Sequence, residues 1–370
     1  MAEHPYKSAP DHNFWRRSVA GIESDQVEPV VAFPRWINRD TRVATAGSCF
    51  AQHIARYLKR SGFNYYVAEP GHPILPQSVL AKNNYGLFSA RYGNIYTARQ
   101  LHQLLERAYG RFTPVEPAWQ QSDDVFLDPF RPSTQPGGFI SRYELERDRE
   151  QHFAAVHEML ETLDVFVFTL GLTECWVSRE DGAVFPICPG VEGGTFDPER
   201  YAFYNQTLDD VLADMTSFLM SLARLNPTAR VILTVSPVPL AATARQDQHV
   251  LTATTYSKSV LRVAAETLAE RFGHVAYFPS YEIITGAFNR GSYYADDLRN
   301  VVEGGVSHVM RLFMKHATDA GAVEEGVVDE APKPTISSMS DRTGGGGRAI
   351  ADLARHVIEV ECDEAGLDRS

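Results

Sequence analysis

The sequence predicts an α/β protein: an open, doubly wound parallel sheet of about five strands with helices on both faces. Three observations lead there. Short apolar runs alternate with stretches of helical length and period, the first three elements make a β-α-β unit, and each apolar run ends in small or polar residues where the chain turns. In order, residues 42–46 read as a buried strand, Gly47-Ser48 as a turn, and residues 50–60 as a helix with Ile54 and Leu58 inward. Residues 63–67 return as a second strand, which requires a right-handed crossover. Strands follow at 165–170, 231–235 and 274–278, separated by helices at about 208–225 and 257–272, and a last helix covers about 304–316.

Residues 1–40 carry aromatic anchors at Phe14, Trp15, Phe33 and Trp36 without a clear period and are expected to wrap the domain, which spans 41–317. Between the second and third strands lies an insertion of about 68–163, with a helix near 98–107 and a Pro/Asp/Gly-rich stretch from 113 to 138. Insertions of that length often build the substrate side of a pocket. Residues 181–200 read as a loop. Residues 318–370 are acidic and polar, with Gly344–Gly347 as a spacer, and are expected to be a largely disordered tail.

Composition narrows the function classes. The net charge of −12 argues against a nucleic-acid partner, and it is concentrated: residues 319–370 hold 12 Asp or Glu against 5 Lys or Arg. No apolar run reaches membrane-spanning length and the N-terminus has no signal-peptide pattern, so a cytoplasmic protein with no membrane partner is expected. Cys49, Cys175, Cys188 and Cys362 form no CxxC pair, which fits a reducing compartment. No His/Cys/Asp cluster has ligand spacing and no Gly-rich phosphate loop follows a strand, so neither metal nor organic cofactor is expected.

In such a sheet ligands bind beyond the carboxyl ends of the strands. The segments to inspect are therefore Gly47-Ser48-Cys49, Gly171-Leu172-Thr173-Glu174, Ser236-Pro237-Val238-Pro239 and residues 292–302. Ser48 stands before a helix N-terminus, where free N–H groups and the helix dipole favour an oxyanion. Serine is equally a preferred N-cap, so its position alone leaves both roles open.

Taken together these segments resemble a family. Gly47-Ser48-Cys49-Phe50-Ala51 is similar to the signature of GSCFA-domain proteins, a branch of the SGNH/GDSL hydrolase superfamily. The resemblance continues through Asn84-Tyr85-Gly86, the block from Phe88 to Thr97, Thr169-Leu170-Gly171-Leu172-Thr173-Glu174, Ser236-Pro237-Val238 and Phe278-Pro279-Ser280-Tyr281-Glu282, over roughly residues 5–316. It implies a flavodoxin-like fold, Ser48 as nucleophile, and an oxyanion hole formed by the Ser48 N–H with Gly86 and the Gly171/Thr173 block. Where the superfamily has Gly-x-Asn-Asp, this chain has Thr173 and Glu174. Asn84 and Glu174 become candidate supporting residues, Glu174 either orienting a partner or capping a turn.

The superfamily's closing Asp-x-x-His is here Asp297-Leu298-Arg299-Asn300. Asparagine cannot accept a proton near neutral pH, so Asn300 cannot serve as the base. Three readings stay open. Another histidine supplies the base, His249 first, because it follows the 231–235 strand on the ligand side. His308 is placed on the outer stripe of the last helix with Arg311 and Lys315, and His53 meets a similar objection. Alternatively, the pocket binds without catalysis, or Asn300 replaces a catalytic histidine by design. Cys49 is a rival nucleophile, and Lys258 is either an anion-binding or basic group or a solvated surface lysine. The expectation is a serine esterase or O-acyl transferase acting on an acyl ester of a carbohydrate or small metabolite. A glycan- or ligand-binding protein is the alternative, and a nucleotide- or flavin-binding protein the least favoured.

Overall fold

The computed structural model describes residues 4–48 and 50–319. Cys49 and nearly all of the acidic tail predicted at 318–370 lie outside the described residues. Four strands, β1 (Val43–Gly47), β4 (Val165–Leu170), β8 (Arg230–Val235) and β9 (Val275–Tyr277), form one parallel sheet in the order β1-β4-β8-β9. Gly47 pairs with Thr169, and Thr169 with Thr234, so the carboxyl ends of the first three strands lie flush and their following residues meet at one edge.

Side-chain alternation gives the sheet two buried faces. Ala44, Ala46, Phe166, Phe168, Leu170, Val231, Leu233 and Val235 pack against α3 (Ala98–Ala108), α4 (Arg142–Thr162), α5 (Leu208–Leu225) and α6 (Val250–Arg271). Val43, Val165, Val167 and Ile232 pack on the other face against α1 (Ala51–Arg60), α7 (Ser280–Thr285) and α8 (Glu303–Ala317). The result is three layers, helix on sheet on helix.

The predicted second strand at 63–67 is corrected. It shrinks to one parallel bridge, Tyr65 to Val43. The outer edge of β1 is instead satisfied by several segments in turn. Val43 N–H donates to Asn64 O and Val43 O accepts from Tyr66 N–H, Thr45 N–H donates to Ser89 Oγ, Tyr92 Oη–H donates to Thr45 O, and Ile95 N–H donates to Gly47 O. These outward-facing groups of β1 thus find partners without a full strand. The block 89–95, inside the insertion, is thereby carried up to the end of β1.

The insertion is more ordered than its composition implies. It contains α2 (Gln77–Lys82), the hairpin β2 (Trp119–Ser122) and β3 (Val125–Leu127), and the 21-residue α4. Residues 181–200 are corrected in part: β6 (Val184–Phe185) lies within them, β7 (Tyr201–Asn205) follows directly, and both pair antiparallel with β5 (Glu174–Ser178) in a second, three-stranded sheet.

The N-terminal segment lies against α8. Arg311 donates to Asp25 O, His308 Nε2 lies 2.9 Å from Val27 O, Lys315 pairs with Glu28 at 2.9 Å, and Ile37 bridges Thr318. This corrects the placement of His308, which is buried, not on an outer stripe, because the first forty residues cover that stripe.

α5 begins in a capping box, with Thr207 Oγ1 accepting from Asp210 N–H and Asp210 accepting from Thr207 N–H. Burial alone would raise the Asp210 pKa. Bonds from Thr207 and the Tyr204 hydroxyl, with Arg99 Nη2 at 3.0 Å, instead hold it down to about 2. A carboxyl held low adds stability above its unfolded value near 3.8, and that stability is lost as pH falls from there through about 2. Asp210→Asn is therefore expected to flatten the acid limb of the stability curve across that window while lowering stability at neutral pH. Urea midpoints that keep the wild-type acid slope would refute this.

Candidate active site

Ser48 occupies the end of β1 as expected, but not as an N-cap. Phe50 is the N-cap of α1 and supplies no side-chain bond, and the Ser48 carbonyl accepts the Ala51 N–H at 2.9 Å. The Ser48 side chain is buried, and Oγ has no hydrogen-bond partner among the described residues. Gly47 reaches this turn with φ +139°, in a region open to glycine.

Gly171 forms the wall facing Ser48. A methyl on it would lie 3.2 Å from Ser48 Cβ and 3.0 Å from Tyr96 O. Its N–H and that of Leu172 both donate to Tyr96 O, at 3.0 and 2.9 Å. Its carbonyl accepts from Lys258 Nζ at 2.7 Å. Lys258 is only 1% exposed, which corrects its placement as a solvated lysine: α6 begins at Val250, seven residues earlier than predicted, so Lys258 sits inside the helix and turns inward.

The oxyanion donors read from the sequence are differently employed. Thr173 is fully buried, with its N–H on Ser257 Oγ at 3.0 Å and its hydroxyl on Asn205 Oδ1 at 2.6 Å. With the Gly171 N–H on Tyr96 O, neither residue offers an uncommitted proton. Gly86 lies by the last turn of α1, its carbonyl accepting from Lys59 Nζ at 2.7 Å, whereas Ser48 precedes the first turn. Asn84 takes φ +60° and donates to Ser133 O at 3.0 Å, bracing the insertion. Glu174 accepts from Thr243 Oγ1 at 2.7 Å, and burial raises its pKa.

The structure does not bring His249 to Ser48. His249 is exposed and caps α6, its Nδ1 accepting from Leu251 N–H at 3.2 Å, roughly 13 Å along the helix from Lys258 at 1.5 Å per residue. His308 has both ring nitrogens engaged, by Tyr293 Oη at 2.8 Å and Val27 O. His53 is held neutral, burial and the neighbouring Arg56 pushing its pKa down to about 4. Asp297 and Asn300 form an exposed turn. The Asp297 carboxylate accepts from Arg299 N–H at 3.0 Å, Asn300 N–H at 2.9 Å and Asn300 Nδ2. Burial opposes ionisation of Asp297, but those bonds hold its pKa below the usual range.

Sequence reasoning missed four participants. Tyr96 anchors the Gly171 turn, Ser257 and Asn205 hold Thr173, and Ile95 fixes Gly47. The block Tyr92-Gly93-Asn94-Ile95-Tyr96-Thr97 was conspicuous in sequence, yet nothing local said that it would run beside β1. Cys49 lies outside the described residues. Among the described residues no helix is long and apolar enough to cross a membrane, and no three His, Cys, Asp or Glu gather as metal ligands.

No curated protein matches the chain in sequence. A model of the GSCFA family matches residues 42–313. That span takes in all four strands of the parallel sheet, Ser48, the Gly171 turn, Lys258 and the Asp297–Asn300 turn, and the chain belongs to the GSCFA family.

Proposed function

We propose that the chain is an SGNH-type serine esterase or O-acyl transferase, acting on an acyl ester of a carbohydrate or small metabolite with Ser48 as nucleophile. The observation that carries this reading is the buried Ser48 hydroxyl, unpaired among the described residues, ahead of the first turn of α1. A buried polar group without a partner costs about 1–3 kcal/mol, so its retention calls for a reason, and reaction with a substrate supplies one here. The sheet supports the reading. With residues 63–66 counted at its edge, the strands run second, first, third, fourth, fifth, a flavodoxin-like order whose switch point lies between β1 and β4, beside Ser48.

In this reading Ser48 Oγ attacks the acyl carbonyl, and the Ser48 N–H with the N-terminal end of α1 receives the oxyanion. Gly171, by lacking a side chain, lets the turn after β4 close directly on Ser48 and Tyr96. Lys258, fixed to the Gly171 carbonyl, takes the acid–base position in preference to His249. The alcohol leaves with the serine proton, and water or a second alcohol releases the acyl group. A cytoplasmic setting suits the free thiols of Cys175 and Cys188.

A second reading, a ligand-binding protein with a disarmed site, is favoured by the Asp297 clamp on Asn300, which cannot take up a proton. Labelling with a fluorophosphonate probe, located by mass spectrometry, separates the two. Wild type is expected to label at Ser48, with Ser48→Ala abolishing the label and, by removing the unpaired hydroxyl, leaving the fold at least as stable. Wild type that stays unlabelled under conditions that label a serine esterase would refute the enzymatic reading.

A further inference from the structure

Behind residues 92–95, the insertion holds a polar assembly of four arginines, three carboxylates and a histidine. Arg91 donates to Asp148 at 2.8 Å. Arg131 donates through Nε to Asp128 at 3.0 Å and through Nη2 to Asp148. Arg149 reaches Asp128 at 3.2 Å, and His152 Nδ1 lies 2.8 Å from Glu69. Each carboxylate is thus taken by a cation, the His152 ring or a backbone N–H. Arg107 has none of them: its guanidinium lies 3.6 Å from the Phe130 ring centroid and 5.3 Å from that of Phe153.

Arg107 stays charged at neutral pH even though burial, with Arg149 and Arg131 nearby, pushes its pKa down to about 9. His152 stays neutral, because burial and Arg131 outweigh Glu69. Four cations therefore face three anions, and one positive charge is left uncompensated in a largely buried setting, which is unfavourable.

A cavity opens among these groups, lined by Arg107, Arg131, His152, Tyr92, Phe130 and Leu104. Its free space admits roughly one small ion. Arg131 is 4% exposed, and its Nη1 is buried with no hydrogen-bond acceptor among the described residues. We propose that this cavity binds a small monovalent anion, chloride being the type, between the Arg107 guanidinium and Arg131 Nη1. Such an ion accepts the unused Arg131 N–H and balances the odd charge. The apolar rim of Phe130 and Leu104 suits a weakly hydrated halide, and the space excludes a many-atomed oxyanion. Occupancy would stiffen the segment whose Tyr92 hydroxyl and Ile95 N–H hold β1 beside Ser48.

The test is thermal unfolding of the full chain in sodium chloride against sodium gluconate, each at about 100 mM, gluconate being too large to enter. For a millimolar site the midpoint is expected to be about 4 °C higher in chloride. The difference should vanish in Arg107→Gln, which removes the unpaired charge. Equal midpoints in the two salts, or a chloride difference that survives in Arg107→Gln, would overturn the proposal. If Arg107→Gln does not fold, crystals of the wild type soaked in bromide decide it. An anomalous peak between Arg107 and Arg131 is expected, and a map empty at that place overturns the assignment wherever else bromide binds.

Discussion

Replacing Gly47 by alanine is expected to cost more than about 4 kcal/mol, enough to leave much of the chain unfolded or insoluble at 37 °C. Two penalties add. At φ +139° an L-residue is strained by about 1–3 kcal/mol. The new Cβ would also lie 2.5 Å from Thr169 O and 2.8 Å from Thr169 Cβ, and both atoms belong to the neighbouring strand β4, which cannot move without breaking its pairing with β8. Gly304→Ala is the control: it lies in α8 at an ordinary φ, with nothing within 4 Å of the added methyl, and should be neutral or slightly stabilising. Urea midpoints would decide the matter, and a Gly47→Ala midpoint near wild type would show that the turn before Ser48 is not held as described.

Asn300→His is expected to raise the rate of Ser48 phosphonylation by about 10²–10⁴-fold, the range a positioned general base supplies. Asp297 offers an acceptor to a side chain at position 300. Two backbone N–H groups hold its carboxylate, and it clamps the side chain of residue 300. A histidine there would donate Nδ1–H to Asp297 and turn an Nε2 lone pair outward. Because the base must be neutral, the rate should rise with pH through an imidazole pKa that the adjacent carboxylate lifts above about 6.5. The double variant Ser48→Ala/Asn300→His should not label. A rate unchanged by Asn300→His, at any pH from 5 to about 9, would mean that residue 300 does not face Ser48.

The histidines show where sequence reading stops. His249 follows the third sheet strand, so its place in the chain put it on the ligand side. Whether its ring reaches Ser48 depends on where α6 starts, and that start is set by His249 capping the helix itself. Lys258 lies nine residues later. It was legible only as a charged residue near a helix start, because burial of its amine requires the Gly171 carbonyl, supplied from β4's end 87 residues away. His308 shares a helical stripe with Arg311 and Lys315, which reads as a wet face, until Asp25, Val27 and Glu28 cover it. The charged helix α4 escaped notice because its early positions bury arginine–carboxylate pairs against the insertion in place of an apolar stripe.

By itself the sequence determined what short-range physics decides: four short apolar strands, most of the long helices, the glycine turn that places Ser48 at the end of β1, and an asparagine, which cannot take up a proton, at position 300. The tertiary structure alone decided which residues close the outer edge of β1, which N–H and hydroxyl groups near Gly171 are already committed, and which buried charges balance. Those are pairings between segments tens to hundreds of residues apart. A donor or a charge carries no mark in its own neighbourhood of the partner that will satisfy it, whereas a strand or helix is announced by the period of its own side chains.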